Sequence, residues 1–197
     1  LNIGVAEDET VFRANMVTVE DGKMASYAAG HISSDESAIL IEAFNEQLGT
    51  SEITFYPGTG YRHRLKLKNH PESLQAVCTP PHDIPDKKIE EYLPQGEGSD
   101  LLKSIMHSSE EVLKNHPVNV RRIERGEYPA NSVWLFWGCG PLPSMPSFQD
   151  RYGITSAITS GVDLLRGLGL MQGMDVLEVE GVTDNIDNDY EQQMKEA

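Results

Sequence analysis

From residue 11 onward the apolar positions recur in two rhythms. Val11, Phe12, Met16, Val17 and Val19 precede Asp21-Gly22, and Met24 to Tyr27 follows it. Asp-Gly favours the tight turn between antiparallel strands, so a β-hairpin is predicted over residues 11–29. Ser33 with Glu36 three residues later has the form of a capping box. Behind it Ala38, Ile39, Ile41, Ala43, Phe44 and Leu48 share one helical face, and Gly49 supplies a stop. A second hairpin is predicted from Glu52–Tyr56, a turn at Pro57-Gly58-Thr59-Gly60, and Tyr61–Lys68. In its return strand Arg62, Arg64, Lys66 and Lys68 alternate with Tyr61, His63, Leu65 and Leu67. A period of two sends these four cations to one face.

Glu72–Cys78 is expected as a further strand, whereas the prolines of Thr79–Pro85 exclude regular structure there. Ser99 is expected to cap a helix running to about Asn115, ended by Pro117, with one or two more helical turns over Val120–Arg125. Val133–Trp137 is a continuous apolar run, as in a strand covered on both faces. Beyond the loop at Gly138–Pro143 the pattern alternates: helix at Ser147–Tyr152, strand at Ile154–Thr159, helix at Val162–Leu168, strand at Val176–Val179. Such alternation predicts a parallel sheet with crossover helices. The style thus shifts near residue 128, from α+β to α/β, and the fold class is α/β with an α+β first part.

Charge narrows the partners. The 197 residues hold 31 Asp and Glu against 16 Lys and Arg, a formal net charge of −15. That field repels polyphosphate backbones and argues against general nucleic-acid binding. An anionic small molecule could bind only where local Arg and His overturn it. Cys78 and Cys139 match no zinc or redox spacing and are expected as reduced thiols of a cytoplasmic protein. No apolar run approaches the ~20 residues of a membrane span, and no signal peptide is visible. Both ends read as cut: the chain opens at Leu1 without Met and closes in a helix-like run, Glu191–Ala197.

The groups able to grip phosphate or carboxylate are Arg13, His31, Arg62, His63, His82, Asp83, Asn119, Arg121 and Arg122. Arg donates two parallel hydrogen bonds to such groups, and His adds a donor or a proton carrier. Context strengthens three places. His31 stands between a strand end and a helix N-terminus, where free N–H groups attract anions; the alternative is packing beneath the capping box. Pro80-Pro81 stiffens the loop presenting His82 and Asp83; the alternative is a structural turn in which Asp83 accepts a backbone N–H. His116-Pro-Val-Asn119 is followed by Arg121 and Arg122, of which at most one should reach a site; the alternative is favourable charge near a helix end. Metal chemistry is poorly supported, because the six His are scattered. Asp184, Asp187 and Asp189 lack the glycine and terminal glutamate of a calcium loop and read as a solvated acidic turn. There is no glycine-rich phosphate loop and no Gly-x-Ser-x-Gly.

Taken in series, several segments resemble the archaeal-type cofactor-independent (2,3-bisphosphoglycerate-independent) phosphoglycerate mutases of the alkaline phosphatase superfamily. They are Phe12-Arg-Ala-Asn15 with Val17-Thr-Val19, Ala29-Gly-His-Ile-Ser33, Phe55-Tyr-Pro-Gly58 with Tyr61-Arg62, and Pro80-Pro-His-Asp-Ile84. Leu93-Pro94, His116-Pro-Val-Asn119 with Arg122, Pro129-Ala-Asn131 with Trp134, Gly138 and Gly140, and Val162-Asp-Leu164 with Gly167 continue it.

The resemblance implies an internal fragment of an isomerase of glycolysis. Residues 1–10 would be a linker or edge of a phosphatase-like core. Residues 11–128 would be an inserted substrate-binding domain, and residues 129–197 part of the returning core. Phosphoglycerate would be held by Arg13, His31, Arg62, His82, Asp83, Asn119 and Arg122, with no nucleophile or metal ligand in this stretch. The divalent metal of the intact enzyme (Mn or Mg, or Zn) would be bound elsewhere. No nucleic acid or membrane partner is implied. The chain departs from the family at Cys139, where Gln is usual, at Gly181-Val-Thr-Asp184, where Gly-Ala-Thr-Gly is usual, and at Asp187-Asn-Asp-Tyr190, where Asp-Thr-Asn-Tyr is usual. These departures keep two alternatives open: a related metal-dependent phosphoesterase or phosphonate hydrolase, and a non-catalytic anion-binding module.

Overall fold

The first hairpin forms where the pattern places it. Strand β1 (Glu9–Glu20) turns at Asp21, φ 49°, and Gly22, φ 71°, into β2 (Lys23–Ser26); two left-handed residues match the twist of the flanking strands. The computed structural model describes residues 4–143, 145–183 and 188–196, and the chain forms two compact units, Leu1–Leu142 and Pro143–Ala197.

In the first unit α1 (Ser34–Gln47) is capped by Ser33, whose Oγ accepts from Glu36 N at 3.2 Å. The return half of the capping box is not made, because the Glu36 carboxylate receives Arg122 and Arg125 instead. Next come β3 (Ile53–Tyr56), β4 (Arg62–Lys68), α2 (Ser99–Leu113), α3 (Pro117–Glu124) and β5 (Ser132–Cys139). All pairings in this sheet are antiparallel. Strand β1 is its centre, with β4 along one edge, β5 along the other, β3 outside β4, and β2 on the far end of β1. One face carries Phe12, Ala14, Met16, Phe55, Leu65, Leu67, Val133 and Leu135. It buries them against Leu40, Ile41 and Phe44 of α1 and Leu102, Ile105 and Met106 of α2. Each such large apolar side chain contributes roughly 1.5–3 kcal/mol on leaving water.

Three expectations change here. Glu72–Cys78 is not a strand: Pro71 opens a 3-10 turn over Pro71–Gln75, and only Val77 bridges, to Gln95. Proline lacks the N–H a ladder needs yet suits a first helical position. Ser99 is the first residue of α2 rather than its cap. Gly98 takes that place at φ 74°, and a Cβ there would lie 2.0 Å from Glu72 O. Pro117 does more than end α2, since it begins α3, with His116 Nδ1 accepting from Val118 N at 3.2 Å.

Strand β5 also decides where the first unit ends. It pairs with β1 from Val11 to Val17, with a bulge between Val11 and Arg13, so the division falls after Leu142 and not at the change of pattern near 128. Trp134 of β5 is buried, and its Nε1 donates to Thr79 O at 2.8 Å, pinning the proline loop. Trp134→Phe is expected to lose about 1–3 kcal/mol through the orphaned carbonyl and the vacated volume; urea titration followed by circular dichroism reads the change.

The second unit holds α4 (Phe148–Tyr152), with a full capping box between Ser147 and Asp150, then β6 (Ala157–Ile158), α5 (Asp163–Met171), β7 (Asp175–Val176) and α6 (Tyr190–Glu196). Strands β6 and β7 pair in parallel, which makes β6–α5–β7 the expected βαβ crossover, with strands of two residues each. Mixed helices and sheets, the predicted α/β class, describe the chain. Among the described residues no helix is long and apolar enough to cross a membrane.

Candidate functional site

The sheet has a second face, and its polar residues follow from register. Directly opposed residues of antiparallel strands project to the same side. Arg13 opposes Arg64 and Asn15 opposes Arg62, so the guanidinium groups of residues 13, 62 and 64 rise from the face opposite α1 and α2. Farther along β4 the cations meet carboxylates: Lys66 Nζ lies 2.9 Å from Glu9 and Lys68 Nζ 3.6 Å from Asp8. The hydrogen bond that Lys66 Nζ donates to Glu9 raises the Lys66 pKa, against some desolvation. Arg62 is placed differently, its guanidinium 4.5 Å above the Tyr61 ring.

A run of aromatic rings joins this arginine group to the two histidines. His31 meets Tyr61 edge-on at 6.4 Å, Tyr61 meets Tyr27 at 6.3 Å, and Tyr27 meets His82 at 6.4 Å. His82 lies 6.0 Å from Phe136 and 5.6 Å from Trp137. Phe136 is itself opposite Arg13 across β1 and β5. The backbone is strained at both histidine ends: Ala29, Gly30 and His31 have φ of 46°, 60° and 55°, and Trp137 has φ 49°. Left-handed non-glycine residues persist only where their surroundings over-determine them, and they concentrate at functional sites.

The structure therefore gathers Arg13, His31, Arg62 and His82 in one region of the first unit. Asp83 sits beside them on the same 3-10 turn, 3.9 Å from His82 Nε2. Asn15, Tyr27, Tyr61, Arg64, Phe136 and Trp137 join them without having been candidates. Asn15 was accessible to sequence reasoning, since a period of two from Arg13 reaches it; the rings were not, because their meeting depends on separate loops.

Asn119 and Arg122 go elsewhere. They lie three apart on α3 and so share its buried side, while Arg121 points out to solvent. Asn119 Nδ2 donates to Leu113 O at 2.9 Å and Ala130 O at 2.7 Å, and its Oδ1 accepts from Ala130 N at 2.9 Å. Arg122 donates to Tyr128 O, Ala29 O and Glu36 Oε2, at 2.9, 2.9 and 2.6 Å. Both side chains are occupied by partners within the fold. Burial works against the Glu36 charge, but hydrogen bonds from Arg125 and Arg122 outweigh it and hold this carboxyl below its ordinary range.

His63, between Arg62 and Arg64, faces the helix side and is fully buried. Its Nδ1 accepts from Gly58 N at 3.1 Å, which assigns the proton to Nε2, and Nε2 has no partner among the described residues. Burial first, then Arg64 and Arg13, depress its pKa to about 3.

No group of three or more His, Cys, Asp or Glu among the described residues is arranged to hold a metal. Asp184 and Asp187 lie outside the described residues, and Asp189 Oδ1 accepts from Gln192 N in the first turn of α6. A cavity of about 370 Å3 beside α2 and α3 is lined by Glu110, Glu111, Lys114 and Asn131. Two carboxylates against one ammonium suit it poorly to an anion.

The sequence model of 2,3-bisphosphoglycerate-independent phosphoglycerate mutase matches residues 1–119. The chain belongs to this family. A phosphoglycerate mutase of that description from Methanosarcina barkeri is 49% identical over 191 residues, covering 97% of this chain and 48% of the relative. A probable one from Geobacter sulfurreducens is 45% identical over 195 residues, with 97% and 48% covered. The chain spans about half the length of the curated phosphoglycerate mutases it matches. Two solved structures share the fold at 21% identity. The PH0037 protein from Pyrococcus horikoshii gives a TM-score of 0.68 over 100% of this chain and 45% of its own. The cofactor-independent phosphoglycerate mutase from Thermoplasma acidophilum gives 0.59 over 91% and 49%.

Proposed function

We propose that this chain supplies the phosphoglycerate-holding part of a cofactor-independent phosphoglycerate mutase, which interconverts 2- and 3-phosphoglycerate. The observation that carries the reading is the convergence of Arg13, Arg62 and Arg64 on one sheet face, joined by rings to His31 and His82, on a chain of net charge −15. Phosphoglycerate presents a phosphate and a carboxylate, and guanidinium forks match both. In this reading the arginines clamp the two anions, and His31 and His82 exchange hydrogen bonds with the free hydroxyl, which changes place as the phosphoryl group moves. Asp83 orients His82.

The divalent metal of the family, Mn or Mg (or Zn), would neutralise charge developing on the transferred phosphoryl group. In this reading phosphoryl transfer belongs to the half of the relatives' length that this chain does not span. Residues 11–128 with β5 then act as the inserted substrate domain, and the second unit as the start of the returning core. The exposed Leu164, Leu165, Leu168 and Leu170 of α5 support this assignment, because parallel strands are normally covered on both faces. A glycolytic role and a cytoplasmic location follow from the same reading.

The test is kinetic, on the full-length enzyme. Arg62→Ala should lower kcat/KM for 3-phosphoglycerate at least about tenfold, equivalent to about 1.4 kcal/mol. Unchanged kinetics would remove Arg62 from the site. Strong esterase activity without mutase activity would favour a phosphoesterase on the same scaffold.

A further inference from the structure

The Arg122 side chain is 4% exposed, and its guanidinium ends beside the backbone that carries His31. Its Nη2 donates to Ala29 O at 2.9 Å, and its Nε donates to Tyr128 O at 2.9 Å. Its Nη1 reaches Glu36 Oε2 at 2.6 Å. Glu36 is in the first turn of α1 and also takes Arg125 Nη2 at 2.6 Å, so it ties the helix that follows His31 to α3. Between these anchors lies the left-handed turn Ala29-Gly30-His31.

The turn has little room for another arrangement. Ala29 is fully buried, and Ser26 Oγ accepts from Gly30 N at 2.9 Å. A Cβ on Gly30 would lie 3.0 Å from Tyr128 Cβ and 3.4 Å from Arg122 Nη2. Three consecutive left-handed residues, two of them not glycine, are disfavoured in an isolated chain. Arg122 holds the carbonyl of the first of them, so its donors select the conformation that presents the third.

We infer that Arg122 is a positioning residue, which sets the His31 imidazole against Tyr61 and the arginine face by clamping the 29–31 turn, and makes no contact with substrate itself. This rests on the reading of His31 as a substrate-binding group. Lysine at 122 would keep the charge but lose the fork that serves two carbonyls and a carboxylate together.

A double-variant cycle on the full-length enzyme tests it, with kcat/KM for 3-phosphoglycerate measured for His31→Ala, Arg122→Lys and the pair. Each single change is expected to lose about tenfold, and the pair no more than about threefold beyond His31→Ala, because Arg122 acts through His31. Glu36→Gln removes the charge from one anchor of Arg122 while leaving the His31 and Arg122 side chains present. It is scored in the same cycle and keeps the inference open to refutation if Arg122→Lys does not fold. A pair whose loss is the product of the two single losses would overturn the inference, as would Arg122→Lys at the unmodified rate. Full activity in His31→Ala would instead bring down the reading of the site, and this inference with it.

Discussion

Asn119→Ala is expected to lower the stability of the first unit by about 3–4 kcal/mol while leaving substrate affinity of the folded enzyme within about twofold. Its amide closes three hydrogen bonds of 2.7–2.9 Å, to Leu113 O and to both backbone groups of Ala130, at a residue 1% exposed. Alanine leaves those backbone groups buried without partners. Each such group costs about 1–3 kcal/mol, less whatever water or a small backbone shift recovers. The assay is convenient, because the two tryptophans of the chain, Trp134 and Trp137, both lie in the first unit. Urea unfolding followed by their fluorescence reports on that unit. An affinity loss beyond tenfold with stability intact would place Asn119 in the ligand set instead.

The second large effect is on pH dependence. His63 has a folded pKa of about 3 against an ordinary value near 6.5. Above pH 6.5 the side chain is neutral in both states and contributes no pH dependence. Below it the unfolded chain takes up a proton that the folded chain refuses, so stability falls as pH falls, until the folded group titrates near 3. The slope is about 1.4 kcal/mol per pH unit, or about 2 kcal/mol between pH 6.5 and 5. His116, depressed by burial and by Arg121, acts in the same direction. Carboxylates held low by their partners, such as Glu127 beside Arg125, lose their contribution at lower pH. His63→Asn keeps a group able to accept from Gly58 N–H but cannot be protonated. It should remove about 2 kcal/mol of the loss between pH 6.5 and 5, measured by urea titrations at both pH values. Equal slopes in the two proteins would show that His63 is not held neutral by the fold.

The two predictions separate roles that sequence reasoning had joined. Asn119, Arg122 and His63 were all candidate anion ligands because of their residue type and neighbours. In the structure the first two are bound to backbone groups and, for Arg122, to Glu36 and Glu127, and the third faces the core. Polarity marks a residue as needing partners; it does not say whether substrate or the fold provides them.

Local chemistry was sufficient for the hairpins, for α1, and for the alternation that puts Arg62, Arg64, Lys66 and Lys68 on one face of β4, since each depends on residues within a few positions. The βαβ crossover of the second unit was legible for the same reason. The Ser99 cap was misplaced because the fit of Gly98 depends on a distant neighbour, Glu72 O, and the Glu72–Cys78 strand was misread because Pro71 opens a 3-10 turn there. The pairing of β5 with β1, and hence the end of the first unit, needed tertiary structure, because an apolar run does not name its partner strand. So did the site itself. Whether Arg13 stands opposite Arg64, and whether His31 and His82 meet through Tyr61 and Tyr27, is set by register and loop packing across dozens of residues, which no short-range pattern encodes.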